Sequence, residues 1–237
     1  PEQIRHFDLP PAAVAQAALR NNCATIAYTY SEPIVFYEYM VDTAVAARSL
    51  GIKNAVVTGG HTNAEPFREL LEVVDAVKID LKAFDQDFYT RYVKGELQPV
   101  LDAIRAAAHS QAWLEIVYLV IPSLNDRASD IRAMCRWMKE EIGTGVPLHF
   151  SRFRPEYLMK NLPPTPVSTL EMAFGIARDE GLDFVYVGNV PGHEGENTFC
   201  AECGRPVVRR WGYEVRDVRI KDGKCVHCGH AVPGVWA

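Results

Sequence analysis

Two matched cysteine pairs near the C-terminus, Cys200-Ala-Glu-Cys203-Gly204 and Cys225-Val-His-Cys228-Gly229, constrain the fold of this chain more than any other feature. Four thiols spaced as CxxC and CxxC read as a four-coordinate metal site. The glycine after each pair allows the backbone conformations that turn amides towards the sulfurs. Between the pairs, residues 207–213 and 215–220 read as two short β runs, with Lys221-Asp222-Gly223-Lys224 as turn and approach to the second pair. The expected unit is a hairpin tipped by a zinc ribbon site made of Cys200, Cys203, Cys225 and Cys228. Four thiolates leave zinc no open position, and so short a ribbon cannot bury a core without metal, so the site serves folding and not chemistry. A redox dithiol and rubredoxin-type iron are the alternative readings of the same spacing.

The remaining chain is long enough for one large domain: 237 residues, 48% hydrophobic and 23% charged, which excludes a disordered protein. No apolar run reaches membrane-spanning length, and Pro1-Glu2-Gln3-Ile4-Arg5 has neither a basic n-region nor an apolar h-region. The expectation is a cytoplasmic protein with no membrane partner. Six cysteines divide into four ribbon ligands and the isolated Cys23 and Cys135, which suits a reducing compartment; those two read as buried small hydrophobes. The formal charge of −5 is uneven, with seven Lys or Arg against four Asp or Glu from Phe199 onward. Four thiolates on one zinc return about two negative charges, so nucleic acid is not the expected partner. The chain opens on proline without an initiator methionine and passes almost at once into a helix.

Up to about residue 190, short β-branched runs alternate with segments of helical period, the pattern of repeated βα units around a parallel sheet. The predicted strands are 25–30, 54–58, 76–81, 113–121, 148–153 and 184–187; the predicted helices are 11–20, 34–50, 65–73, 85–93 with 100–108, 129–141 and 168–180. Asp126 with Ser129, and Ser168, are the expected N-terminal caps, while Gly51 and Gly181 are stop signals. A helix before the first strand is unusual for an α/β domain, which implies a strand upstream of Pro1. The expected fold is therefore α/β: a partial (β/α)6 barrel lacking its first strand over residues 1–190, then a linker loop and the zinc ribbon over 191–237.

Chemistry is sought at the carboxyl ends of the strands. Ser31-Glu32-Pro33 puts a carboxylate after the first strand, as a turn or cap or as a ligand group. Period-two alternation sends Lys78, Asp80 and Lys82 to one side of the third, where Asp80 and Lys82 can hold each other or grip a zwitterion. On the strand at 148–153, His149 and Ser151 share a face, and His149 reads either as a satisfied core histidine or as an active-site group. The glycine-rich run from Gly188 to Asn197 matches no phosphate-binding fingerprint; it is a linker or a loop that brings backbone to a ligand.

Taken in order, Ile26 to Pro33, Lys78 to Phe84, Leu119-Val120-Ile121-Pro122, His149 to Pro155 and Gly188 to Thr198 resemble the radical S-adenosylmethionine (SAM) enzymes of the AmmeMemoRadiSam system, relatives of pyruvate formate-lyase activating enzymes. The resemblance runs over essentially the whole chain. It implies a 4Fe-4S cluster held by a CxxxCxxC loop, with SAM on the open iron, and reductive cleavage of SAM to a 5′-deoxyadenosyl radical. No CxxxCxxC occurs here, so the cluster ligands are expected upstream, the chain by itself is expected to be inactive, and the inferred upstream strand and the cluster loop are one missing segment. By resemblance Glu32, with Ser31 beside it, holds the methionine ammonium in place of a Gly-Gly-Glu-Pro-like turn, and Asp80 and Lys82 position the cofactor. Gly59 stands where an asparagine is expected, and His149 and Arg152 match a histidine and an arginine of the family, His149 being the candidate catalytic residue. The resemblance further implies AMMECR-type and Memo-type partners and a reductant such as ferredoxin or flavodoxin. A glycyl-radical-enzyme activase, or a silent barrel whose ribbon binds protein or RNA, are the competing functions.

Overall fold

The computed structural model describes residues 8–236. The N-terminal pentapeptide read above for targeting character lies outside them. The chain runs α1 Pro11–Arg20, β1 Thr25–Tyr28, α2 Tyr37–Ser49, β2 Lys53–Thr58, α3 Ala64–Val73, β3 Ala76–Asp80 and α4 Gln86–Phe88, which passes into a π turn at Tyr89–Val93. Then follow α5 Leu97–Ala108, β4 Trp113–Val120, α6 Ala128–Glu141, β5 Leu148–Arg152, α7 Val167–Asp179 and β6 Val185–Gly188. The C-terminal part is β7 Thr198–Phe199, β8 Pro206–Trp211, β9 Glu214–Val218, β10 Ile220–Lys221 and β11 Lys224–Cys225.

The six strands from β1 to β6 form one sheet in the order of the sequence. Pairing is parallel from β1 to β3 and from β4 to β6, with Tyr28 opposite Val56, Thr58 opposite Ile79, Val117 opposite His149 and His149 opposite Tyr186. The order follows the sequence throughout, as the repeated βα units read from the sequence require, and no switch point interrupts it. The alternation is clear on β4, where Leu114, Ile116, Tyr118 and Val120 are buried and Trp113, Glu115, Val117 and Leu119 are half-buried.

By packing, the chain divides into two units: Pro1–Ile79 with Pro99–Leu114, and Asp80–Gln98 with Glu115–Ala237. The first is built on Met40, Ala44, Val56, Phe67, Leu70, Val77, Ile79 and Ile104, and the second on Ile116, Tyr118, Ile131, Met134, Leu148 and Phe150, all fully buried or nearly so. The buried amides of Asn54 and Asn125 have their partners, as burial requires. In the first unit Asn54 accepts from the Tyr28 hydroxyl (2.9 Å) and donates to Ala44 O (3.2 Å). In the second, Asn125 Nδ2 donates to Lys82 O (2.7 Å) and Leu119 O (2.9 Å), and Oδ1 accepts from Ile121 N (2.6 Å).

Several local expectations are corrected. The helix expected over 34–50 is two elements, because Pro33–Phe36 forms a 3-10 turn and Phe36 leaves helical geometry at φ −125, ψ 53 before α2 begins. Neither Asp126 with Ser129 nor Ser168 caps a helix. Helix α6 starts after Arg127, and Asp126 instead accepts from Ser123 N (2.9 Å), closing the preceding turn. Helix α7 starts after Pro166, whose fixed φ of −58 already suits a helix entry. Gly51 and Gly181 end their helices at φ 74 and 92, as expected of stop signals. Cys135 is buried, and burial pushes its thiol up to about 12, whereas Cys23 is exposed and is not a core residue.

Candidate functional site

Glu32 is held by the chain around it. The Thr58 hydroxyl donates to Oε1 (2.6 Å), Gly59 N–H donates to Oε2 (2.7 Å), and Ile34 N–H donates to Oε1 (3.3 Å) across the 3-10 turn. Both the turn role and the ligand role remain open to it: a carboxylate offers about four lone-pair sites, and these three donors leave one on Oε2. A side chain at Gly59 would begin 3.3 Å from Glu32 Oε2, so glycine here gives that oxygen room. Tyr30 and Ser31 lead in with φ 58 and 59, two successive left-handed residues. Glycines take that conformation without strain, which is why a Gly-Gly turn is the natural occupant of these positions.

Asp80 ends β3 and Lys82 follows it, with Lys82 Nζ 2.8 Å from Asp80 Oδ2. The predicted alternation holds, for Val77 and Ile79 are buried while Lys78 and Asp80 are half-buried. The backbone of Lys82 is fixed at both ends, its O by Asn125 and its N–H by the Tyr89 hydroxyl (3.2 Å). Neither Asn125 nor Tyr89 stood out in the sequence, because their partners lie on other turns.

On the half-buried face of β4 to β6, His149 Nε2 is 2.9 Å from Glu115 Oε2, an ion-pair distance without an aligned hydrogen bond. The imidazole stacks on Tyr186 with ring centres 4.7 Å apart and planes at 17°. Ser151 shares this face, and Gly188 leaves it room, since a side chain there would begin 3.0 Å from Ser151 Oγ. Arg152 is tied to structure by Nε donating to Thr165 O (2.7 Å).

The four ribbon cysteines come together as read. Their sulfurs all lie within 4.8 Å of one another, with Cys200 and Cys228 at 3.6 Å and Cys203 and Cys225 at 3.8 Å. A tetrahedral zinc with Zn–S bonds of about 2.3 Å needs S···S edges of about 3.8 Å. The donor set thus fits zinc. Gly204 and Gly229 adopt φ 67 and 78 and donate to Cys200 O and Cys225 O, which makes the two knuckle turns. Burial raises the Cys225 thiol, but amides of His227 and Cys228 and the adjacent sulfurs outweigh it and bring it down to about 7. An amide from His230 favours the Cys228 thiolate, yet burial and the other three sulfurs push it up to about 12, because four thiolates this close cannot all ionise without a cation.

The glycine-rich loop is accounted for by packing. A side chain at Gly192 would collide with the Trp211 ring at 2.6 Å, and one at Gly195 would meet Val187 and His193 at 2.9 Å. Beside it lies a cavity of about 620 Å³ walled by Phe174, Phe184, Tyr186, His193 and Phe199, among others; none of Ser31, Glu32, Asp80, Lys82 and His149 lines it. The structure therefore groups Glu32 with Thr58 and Gly59, Asp80 with Lys82, His149 with Glu115 and Tyr186, and the four cysteines with one another.

Comparison with known proteins follows these groups. No protein-family model matches the chain. Its fold is that of radical SAM enzymes. A domain of a pyruvate-formate lyase-activating enzyme from Bacteroides vulgatus superposes with a TM-score of 0.62 at 18% identity, over 69% of this chain and 98% of that one. A radical SAM methyltransferase from Sphaerobacter thermophilus gives 0.57 at 16% identity, over 78% of this chain and 60% of that one. Streptococcus suis SuiB bound to S-adenosylmethionine gives 0.62 at 8% identity, over 79% and 45%. In sequence, the uncharacterized protein MJ0808 of Methanocaldococcus jannaschii is 41% identical over 234 residues, which is 98% of this chain and 69% of that protein. Identity of that level over nearly the whole chain places it plainly: the chain belongs to the family of MJ0808.

Proposed function

We propose that this chain is the SAM-binding body of a radical SAM enzyme of the AmmeMemoRadiSam type, acting in the cytoplasm. The observation that carries the reading is the Glu32 carboxylate. It stands just beyond the carboxyl end of β1, fixed by Thr58 and Gly59, with one acceptor site left on Oε2. That site suits one N–H of a methionine ammonium, a charge-assisted hydrogen bond. Asp80 and Lys82 offer a carboxylate and an ammonium 2.8 Å apart, a pair that a zwitterionic ligand can satisfy, Lys82 taking the methionyl carboxylate and Asp80 a ribose hydroxyl or the ammonium.

A 4Fe-4S cluster bound at the reactive centre would supply the electron that opens the SAM sulfonium. Among the described residues the ribbon is the one group of cysteines that could hold a metal, and a closed four-thiolate site leaves no iron open to SAM. The chain's own share of the chemistry is therefore to bind and orient, with a role that the resemblance gives to each group by itself: the Glu32 carboxylate for an amine, Lys82 for a carboxylate, and His149 for the side that meets substrate. Partnership with AMMECR-type and Memo-type proteins and reduction by a ferredoxin or flavodoxin complete the proposal on the strength of the resemblance, and the charge balance of the ribbon argues against a nucleic-acid partner.

Calorimetry of SAM binding to the cluster-loaded protein tests it, using Glu32→Gln and Asp80→Asn. Losing one charge-assisted contact costs about 1.5–3 kcal/mol, a roughly tenfold to hundredfold loss of affinity. Unchanged affinity in both variants would remove these residues from the site.

A further inference from the structure

The base of the ribbon reaches the half-buried face of the parallel sheet. Tyr186 on β6 is stacked on His149, and its hydroxyl lies 3.0 Å from Thr198 Oγ1 on β7. Arg210 on β8 donates to the same Thr198 oxygen (2.8 Å) and to Glu196 O (3.1 Å), with its guanidinium carbon 5.9 Å from the centre of the Tyr186 ring. The backbone N–H of Arg210 donates to Asn197 Oδ1 (2.8 Å). An unbroken chain of contacts thus runs from the ribbon hairpin to an imidazole.

Two features give this chain a direction. His149 is held on two sides, by the Glu115 carboxylate 2.9 Å from Nε2 and by the stack on Tyr186, whose ring lies nearly parallel to the imidazole and so sets its plane. On the other side, β7 leads directly into Cys200 and β8 begins three residues after Cys203. The ribbon core consists of Cys200, Val207, Cys225 and Val232, two of them metal ligands, and a core of that size depends on its metal. Burial raises the Tyr186 hydroxyl, keeping it a protonated donor at neutral pH.

We propose that Tyr186, Thr198 and Arg210 are positioning residues for His149, so that the metal-bound ribbon sets the orientation of a side chain on the sheet face. The ribbon then does more than fold by itself. Simple anchoring would need only an apolar contact, whereas here a hydroxyl, a guanidinium and a stacked ring converge in series on one imidazole. The inference stands on these contacts alone and is independent of what the enzyme binds.

The test is the ring resonances of His149 in the zinc-loaded protein, read by nitrogen-15 NMR with His109 as internal control, since His109, just after α5, is held against that helix by Arg105 O. Arg210→Ala, which cuts both side-chain contacts with Thr198 and Glu196, is expected to shift the His149 signals and leave His109 in place, with zinc content unchanged. Tyr186→Phe keeps the stacked ring and loses only the hydroxyl contact, so it is expected to shift them in the same direction by less. Removing zinc by chelation is expected to broaden or displace the His149 signals, along with those of the ribbon's own His227 and His230, and to leave His109 in place. His149 signals that stay put in whichever of the two variants keeps its fold and metal, or that ignore zinc removal, overturn the proposal.

Discussion

Glu32→Ala is expected to destabilise the protein, which makes it a poor probe of ligand binding by itself. The substitution removes the acceptor for Thr58 Oγ1, Gly59 N–H and Ile34 N–H at 2.6, 2.7 and 3.3 Å. Thr58 is buried, and its hydroxyl already accepts from Gly60 N–H (3.0 Å), so it cannot turn freely to another partner. A donor left unsatisfied costs about 1–3 kcal/mol, two are lost here, and the long Ile34 bond costs little, so the sum is about 2–6 kcal/mol. Glu32→Gln is milder: its carbonyl oxygen can still accept from Gly59 N–H, while its amide faces Thr58 Oγ1 and leaves the Thr58 hydroxyl without its acceptor, at a cost of about 1–3 kcal/mol. Urea denaturation followed by circular dichroism separates the two, with the Ala midpoint expected lower by about 1 M or more at ordinary m values. An Ala variant within about 0.5 kcal/mol of the parent would show that water replaces the carboxylate and that the cradle is not structural.

Four further outcomes follow from the same structure. Metal analysis of the purified protein is expected to give one zinc per chain, lost on joint Cys203→Ser and Cys225→Ser substitution; near-zero zinc in folded protein, or a red iron-thiolate spectrum, would exclude structural zinc. Gly60→Ala is expected to cost at least about 1–2 kcal/mol, because φ is +73 and the new methyl would begin 2.8 Å from Ile79 Cγ2; a neutral effect in thermal melts would contradict this. Thiol labelling of native protein is expected at exposed Cys23 but not at Cys135, whose burial holds it up to about 12, so Cys135 labelled at the same rate would refute its burial. Asp75 is buried enough to raise its carboxyl, but Lys53 and the Asn54 amide outweigh that and hold it below the usual carboxylate range. Its stabilisation is therefore full above the ordinary carboxylate pKa and fades as pH falls through the lowered one, so the stability gap between parent and Asp75→Asn is expected to close in acid; a gap independent of pH would remove Asp75 from the account.

Much of the fold was legible because β-branched runs bounded by turn residues carry their own signal. All six predicted strands of the sheet exist, every end within two residues. What local pattern could not reveal is how helices begin: Asp126 and Ser168 have the chemistry of caps, but Arg127 and Pro166 occupy the cap positions, and Asp126 is spent on a turn. The cysteine cluster was readable because each CxxC pair carries its spacing within a short stretch. Glu32 could be marked but not explained, since Thr58 and Gly59 meet it only when β1 and β2 pair. Asn125, Tyr89, Tyr186 and Arg210 carried no motif at all, because each acts through a partner brought near by tertiary packing.

The most direct measurement is of 5′-deoxyadenosine. The chain extended upstream through a CxxxCxxC segment would be reconstituted anaerobically with iron and sulfide, reduced with dithionite in the presence of SAM, and its products separated by chromatography, alongside the 237-residue chain treated identically. 5′-Deoxyadenosine and methionine are expected from the extended chain and neither from the shorter one. A full 4Fe-4S cluster in the extended chain with no 5′-deoxyadenosine, or product from the short chain, would contradict it.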